Sequence, residues 1–155
     1  MLVLGTLPGG MSMEEREYYA QPRNSFWPIM ADLFGVAVEL PYSVRTQRLA
    51  AYHLALWDVC ESAYRPGSLD ASIRSGSEKP NDFTTFFQEH PRIKMICFNG
   101  AKAATMYKAR VLEGLPGEFR QIKSATLPST SAANAAMPYK EKLNLWSVVR
   151  KECET

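Results

Sequence analysis

The chain has 155 residues, 46% hydrophobic and 22% charged, the balance of an ordinary globular protein with enough chain for one domain and a real core. A net charge of +2 permits a small phosphate-binding face but does not demonstrate one, because a solvated mixed surface has the same sum. Three scattered cysteines without CxxC or Cys/His spacing exclude a disulfide framework, a zinc site and an iron–sulfur cluster, and no apolar run approaches the roughly 20 residues of a membrane span.

In chain order, an apolar strand is expected over Leu2 to Leu7, buried on both sides because it does not alternate. The chain begins almost inside this strand and no charged region precedes it. The expectation is therefore no signal peptide, a reducing cytoplasm, and a start that could lie upstream of Met1. The strand runs into Gly5-Thr6-Leu7-Pro8-Gly9-Gly10, where small residues let backbone N–H groups approach a ligand. This turn is neither a GxGxxG fingerprint nor a GxxxxGK[ST] phosphate loop. Tyr18-Tyr19-Ala20-Gln21-Pro22-Arg23-Asn24-Ser25-Phe26-Trp27 follows, with flat faces on which a base could stack.

Phe26, Ile29, Met30, Leu33 and Phe34 recur at helical spacing, with Gly35 as the stop and Asn24 or Ser25 as the cap. A second helix is expected over residues 45–57 through Leu49, Tyr52, His53 and Leu56, and a short strand from Leu56 to Val59. His53 reads as a structural residue on the apolar helix face, and His90, before Pro91, likewise. Glu61 to Asn81 is the longest irregular stretch, and such loops are usually functional or mobile. Asn81-Asp82 caps a short helix with Phe83, Phe86 and Phe87. Ile93 to Phe98 forms a third strand ending at Asn99-Gly100, with Cys97 as a buried small hydrophobe. A helix from Ala101 to Glu113 is stopped by Gly114, Gln121 to Leu127 is a fourth strand, and Pro138 opens a last helix through Tyr139, Leu143, Trp146 and Val149.

Strands alternating with helices predict a mainly parallel sheet covered on both faces. Ligands bind such sheets outside the strand C-terminal ends. There the sequence places Pro8-Gly9-Gly10, Asp58, Asn99-Gly100 and Pro128-Ser129-Thr130. The hydroxyls and small side chains of Leu127 to Asn134 suit phosphate contacts.

The segments LGTLPGG, YYAQPRNSFW, LWDVCESAYRPGSLDASI, FNGAKA and LPSTSAANA, in this order, resemble the uracil-DNA glycosylase superfamily. Within it they are most similar to the hypoxanthine-DNA glycosylase (deoxyinosine glycosylase) family. The resemblance spans essentially the whole chain, and its most specific block is YYA-x-PRN-x-FW. It implies a three-layer α/β/α sandwich around a four-stranded parallel sheet. It also implies a monofunctional glycosylase that flips a deaminated base, hypoxanthine or xanthine, from DNA and hydrolyses its N-glycosidic bond. Gly5 to Gly10 corresponds to the superfamily's water-activating motif and Leu127 to Ala135 to its minor-groove insertion motif. Many relatives carry Asp or Asn in the first motif; this chain has neither between Gly5 and Ser12, and the family's functional Asn maps to Asn24. Gln21 stands where relatives often have His.

The resemblance thus implies Asn24 as the catalytic residue that orients a water. It implies a base pocket from Gly5, Thr6, Leu7, Pro8, Tyr18, Tyr19, Trp27, Asp58 and Asn99. DNA contacts would come from Arg23, Ser129, Thr130, Ser131, Ala132 and Asn134. No metal or other cofactor is expected, and the enzyme would work as a monomer on DNA containing a deaminated base, with no membrane. Competing readings are a mismatch-specific uracil/thymine-DNA glycosylase, a damaged-DNA-binding module that does not cut, and a free-nucleoside hydrolase.

Overall fold

The computed structural model describes residues 1–153. In chain order they form strand β1 (Leu2–Gly5), helices α1 (Gly10–Glu15), α2 (Phe26–Phe34) and α3 (Tyr42–Ala51), and strands β2 (Ala55–Asp58), β3 (Cys60–Ser62) and β4 (Lys79–Pro80). Helix α4 (Phe83–Glu89), strand β5 (Met95–Asn99), helices α5 (Ala101–Arg110) and α6 (Gly117–Arg120), strand β6 (Lys123–Leu127) and helix α7 (Tyr139–Cys153) complete the fold.

The main sheet is four-stranded in the order β2-β1-β5-β6, and every neighbouring pair is parallel. Alternation along β1 sorts the core into two halves. Leu2 and Leu4 pack with Phe83, Phe87, Ala103 and Met106 of α4 and α5. Val3 points the other way, into Phe26, Ile29, Leu49, Trp146 and Val149 of α2, α3 and α7. The result is the α/β/α sandwich anticipated from the alternation of elements, with Cys97 fully buried in the second half. Among the described residues no helix is long and apolar enough to cross a membrane.

The register brings the C-terminal ends of all four strands to one edge: Gly5 pairs with Asp58, Leu4 with Phe98, and Asn99 with Leu127. The loops singled out from the sequence leave from this edge.

Several element boundaries differ from expectation. The second helix starts at Tyr42 and ends at Ala51, not at 57. Its last amides turn back on Leu49 and Ala50, and His53 adopts φ 58, which swings the chain directly into β2. Leu56, which continues the helical spacing of Leu49, Tyr52 and His53, belongs instead to the strand. His53 is therefore an exposed turn residue rather than a helix-face residue. Helix α1 carries no signal in the sequence because it buries none of its residues and has no apolar stripe. The irregular stretch is tied at its base, where β3 and β4 pair antiparallel with Cys60 opposite Pro80. At its end Asp82 caps α4 by accepting the Thr85 N–H at 3.1 Å. Asn81 does not share the cap, and its Nδ2 donates instead to the carbonyl of Asp58 at 2.9 Å.

Candidate active site

The floor of the site is built where β1 and β2 end. Asp58 is 6% exposed, and its carboxyl lies so close to the β1 backbone that a Cβ on Gly5 would meet Oδ1 at 2.5 Å and the Tyr19 hydroxyl at 3.5 Å. Glycine is required here by approach, not by backbone torsion. Among the described residues no protein group donates a hydrogen bond to this carboxylate. Burial pushes its pKa up to about 7; the Asp70 carboxylate pushes the same way and the Arg65 guanidinium opposes both. Near neutral pH the group is accessible both as an ionised acceptor and as a neutral acid with a donor and an acceptor.

Tyr18 and Tyr19 form one wall, their ring centroids 6.2 Å apart. Tyr19 takes the left-handed backbone conformation, φ 58, uncommon for an aromatic residue, and stacks on Phe26 at 4.1 Å. Among the described residues its buried hydroxyl has no hydrogen-bond partner, nor has the Thr6 hydroxyl. Burial and then the Asp58 charge raise the Tyr19 phenol well above its ordinary value, and the nearby Asn99 amide opposes them. Trp27, expected as a possible stacking face, sits instead in the core, 3% exposed. Its Nε1 donates to the Tyr18 carbonyl at 2.9 Å and Arg45 lies over its ring at 4.3 Å, so it supports Tyr18 from behind.

Asn24 begins the turn into α2. Its N–H donates to the Gln21 carbonyl at 2.8 Å, and its Oδ1 accepts the Phe26 N–H at 2.9 Å. Ser25 occupies the N-cap of α2 without a side-chain cap bond, and Asn24, one residue earlier, covers the first helical N–H as an Asx-turn that uses one atom. Among the described residues Nδ2 has no protein acceptor, which leaves a donor on a side chain held in place by its own oxygen.

The next residue ties this turn to the far end of the chain. Ser25 gives both its N–H and its hydroxyl to the Thr130 carbonyl, at 2.9 and 3.1 Å. Thr130 is 1% exposed; its N–H donates to Asn99 Oδ1 at 2.9 Å and its hydroxyl accepts from Asn99 Nδ2 at 2.8 Å. The Thr130 hydroxyl, expected at the DNA, is turned inward, and Asn99, expected at the base, uses Oδ1 and Nδ2 on Thr130. Together they form the buried post on which the 128–135 loop stands. Trp146 Nε1 holds the Pro128 carbonyl at 2.9 Å, and Asn134 Nδ2 holds the Ser129 carbonyl at 3.0 Å. Gly100, at φ 102, packs where a Cβ would meet the Ser129 Cβ at 3.1 Å. Ser129 and Ser131 accept local N–H groups through Oγ, which leaves their hydroxyl protons free to donate outward.

Residues 1–150 match the family described as the uracil DNA glycosylase superfamily. The chain belongs to this superfamily. It is 33% identical over 150 residues to a hypoxanthine DNA glycosylase of Methanosarcina acetivorans, covering 96% of this chain and 89% of that protein. A hypoxanthine DNA glycosylase of Methanosarcina barkeri is 33% identical over 130 residues, 78% of this chain and 81% of the relative. The fold superposes with TM-score 0.80 on a solution NMR structure assigned to a uracil DNA glycosylase from Methanosarcina acetivorans. That match has 32% identity and covers 99% of this chain and 90% of that one.

One feature of this uracil DNA glycosylase superfamily member escapes sequence reading altogether. The excursion after β3 folds back over the first loop through Arg65, whose side chain is almost wholly buried. Its guanidinium donates to the carbonyls of Leu7 at 3.2 Å, Pro8, and Gly67 at 3.2 Å, and to Asp70 Oδ1 at 3.1 Å. Ser68 Oγ accepts the Gly10 N–H at 3.0 Å. The Leu7-Pro8 turn is thereby strapped from outside, with a planar donor fork suited to several acceptors at once. A lone Arg among Ser, Gly and Pro gives no periodic signal, and its carbonyl partners carry no sequence label.

Proposed function

We propose that the chain is a monofunctional DNA glycosylase that removes a deaminated purine, hypoxanthine first and xanthine second, as a monomer without a cofactor. The observation that carries this reading is a pair of groups at the sheet edge: the Asp58 carboxyl, on a residue 6% exposed, and the buried Tyr19 hydroxyl, neither with a hydrogen-bond partner among the described residues. Buried polar groups are almost always paired, so a pair left open in a pocket fits a ligand with its own donor and acceptor. Hypoxanthine has them side by side as N1–H and O6. Ionised Asp58 accepts from N1–H; neutral Asp58 accepts from N1–H and also donates to O6, where negative charge develops as the base departs.

The nucleotide must leave the stack before this pocket can read it, at a cost of a few kcal/mol. Tyr18 then offers a ring to the extruded base. Water oxygen bonds to C1′ as the N9–C1′ bond breaks with its electron pair on the base; one water proton stays on the new C1′ hydroxyl and the other passes to the base, directly or through solvent. An amide does not titrate usefully, so Asn24 contributes by orienting the water rather than by removing its proton, and most of the acceleration is positional and electrostatic. Neither signature loop carries a Lys to form a Schiff base, which supports base release without strand scission.

The test is a single-turnover panel of single- and double-stranded oligonucleotides containing hypoxanthine, xanthine or uracil, with alkaline cleavage as the readout. Hypoxanthine is expected to be released fastest, and Asn24→Ala to lose at least about a hundredfold in rate. Release of uracil alone would replace the substrate assignment, and full activity of Asn24→Ala would remove Asn24 from the mechanism.

A further inference from the structure

Beside the 128–135 loop lies an open groove of about 270 Å³, to which Arg23, Ser25, Ser131, Tyr139 and Lys142 contribute. Among the described residues neither Asp nor Glu lines it, and the one carboxylate bonded to a lining side chain there is Asp32, whose Oδ2 accepts from the Tyr139 hydroxyl at 2.7 Å. Lys142 is the unusual member. It is 5% exposed, on the first turn of α7 after Pro138, whose carbonyl accepts its N–H at 3.1 Å. Among the described residues no carboxylate or carbonyl accepts from its ammonium, and burial alone lowers its pKa.

Three costs coincide at this one side chain. Lysine is almost never buried unless paired, desolvation opposes its charge, and the positive end of a helix dipole is the wrong end for a cation. Trp146 and Val149, four and seven residues on, form the buried face of α7 with Lys142, so the helix phase turns this side chain inward while Lys140 and Glu141 stay exposed. An anion in the groove would remove all three costs. Arg23, whose guanidinium has no protein acceptor among the described residues, and the free hydroxyl proton of Ser131 face the same space.

We propose that Lys142, with Arg23 and Ser131, binds one phosphodiester of the DNA strand that carries the damaged base. This subsite rests on the DNA glycosylase reading above and adds a residue outside the signature loops. Arg23 directly precedes Asn24, and Ser131 follows Thr130, whose carbonyl accepts from Ser25, so a phosphate held here is fixed relative to Asn24 from both sides. The contact therefore sets register along the strand, as phosphate contacts do, and carries no base information.

The test uses the full chain and an oligonucleotide with a non-cleavable tetrahydrofuran abasic site, so that binding is read independently of base release. Fluorescence anisotropy over a salt series is compared for the wild type, Lys142→Met and Lys142→Arg. Lys142→Met is expected to fold, to weaken binding about tenfold, and to flatten the slope of log affinity against log salt by about 0.7 to 0.9. Lys142→Arg is expected to restore both. A scan of single methylphosphonate linkages then locates the phosphate: one position weakens the wild type and leaves Lys142→Met unchanged. Equal affinity and salt slope for wild type and Lys142→Met would overturn the subsite. So would an adduct trapped by borohydride on an oligonucleotide with a natural abasic site, whose C1′ aldehyde can form an imine as tetrahydrofuran cannot, if Lys142→Met abolishes it, because the amine would then be a nucleophile. Failure of the glycosylase reading is separate and would show as tetrahydrofuran DNA bound normally while none of the three bases is released.

Discussion

Gly5 and Asp58 occupy each other's space so closely that a single methyl group on one would lie 2.5 Å from an oxygen of the other. They are also register partners across β1 and β2, so the carboxyl is positioned by the sheet itself. The colliding atom is the end of a side chain, and it can turn away. Gly5→Ala is accordingly expected to lower stability by only about 1 to 2 kcal/mol while displacing the carboxyl and abolishing most base release. Thermal denaturation and single-turnover excision measured together check this; a variant that loses both equally would place Gly5 in the fold rather than in the site.

The raised pKa of Asp58 makes stability depend on pH in a definite direction. Its folded value of about 7 lies above the ordinary 3.8, so the folded protein binds more protons between about pH 4 and 7. Stability then falls as pH rises through that window. Asp58→Asn cannot ionise and is expected to be more stable than the wild type at pH 8, by an amount on the order of 2 to 4 kcal/mol. Near pH 4 the two should be alike. Parallel melting curves at both pH values decide the matter, and an unchanged difference would show that the carboxyl is solvated.

Asn24 has two separable duties. Asn24→Ala removes the acceptor of the Phe26 N–H and should cost about 1 kcal/mol of stability, the usual worth of a helix cap. Asn24→Asp keeps that acceptor and should melt near the wild type. Denaturant titrations of the two variants check the cap independently of any activity measurement.

Arg65 straps the first loop. Arg65→Met leaves the Leu7 and Pro8 carbonyls without their donor and is expected to cost about 1 to 3 kcal/mol. Removing the cation that opposes burial should also raise the Asp58 pKa further. Hydrogen exchange at the Gly10 amide should quicken, and the stability loss between pH 4 and 7 described above should extend to higher pH. Exchange rates identical to the wild type would remove the strap.

Thr130 stands on Asn99, and Asn99→Ala would strand its buried N–H and hydroxyl. A loss of about 1 to 3 kcal/mol is expected, with faster hydrogen exchange confined first to residues 128–135. Mass-spectrometric exchange over that loop is the direct measurement.

The elements legible in the sequence are those with an apolar face to hide. The undivided run Leu2-Val3-Leu4, the spacing of Phe26, Ile29, Met30 and Phe34, and the stripe Trp146 and Val149 all mark buried surfaces, and the parallel sheet follows from alternating strands and helices. The site is legible as a set of loops on one edge, and Asp58 and Tyr19 as neighbours there. What stays hidden depends on hydrogen bonds between residues distant in sequence. Asn99 has the look of a pocket residue and Thr130 of a DNA contact, and they bond to one another; Trp27 has the look of a stacking face and braces the wall from the core side. Lys142 continues the stripe of Trp146 and Val149 at helical spacing, but a lysine carries no apolar signal and the sequence reading passes over it.

The bonds from Ser25 to Thr130 and from Thr130 to Asn99 also set a timetable. They join segments 105 and 31 residues apart, and such closures form only after the intervening chain has collapsed. A chain still emerging from the ribosome, with Asn24 already made but β6 not yet docked, holds that amide on an untethered turn. Competence for base excision therefore arrives late in synthesis, all at once. A fragment released early would carry the signature block and be inert.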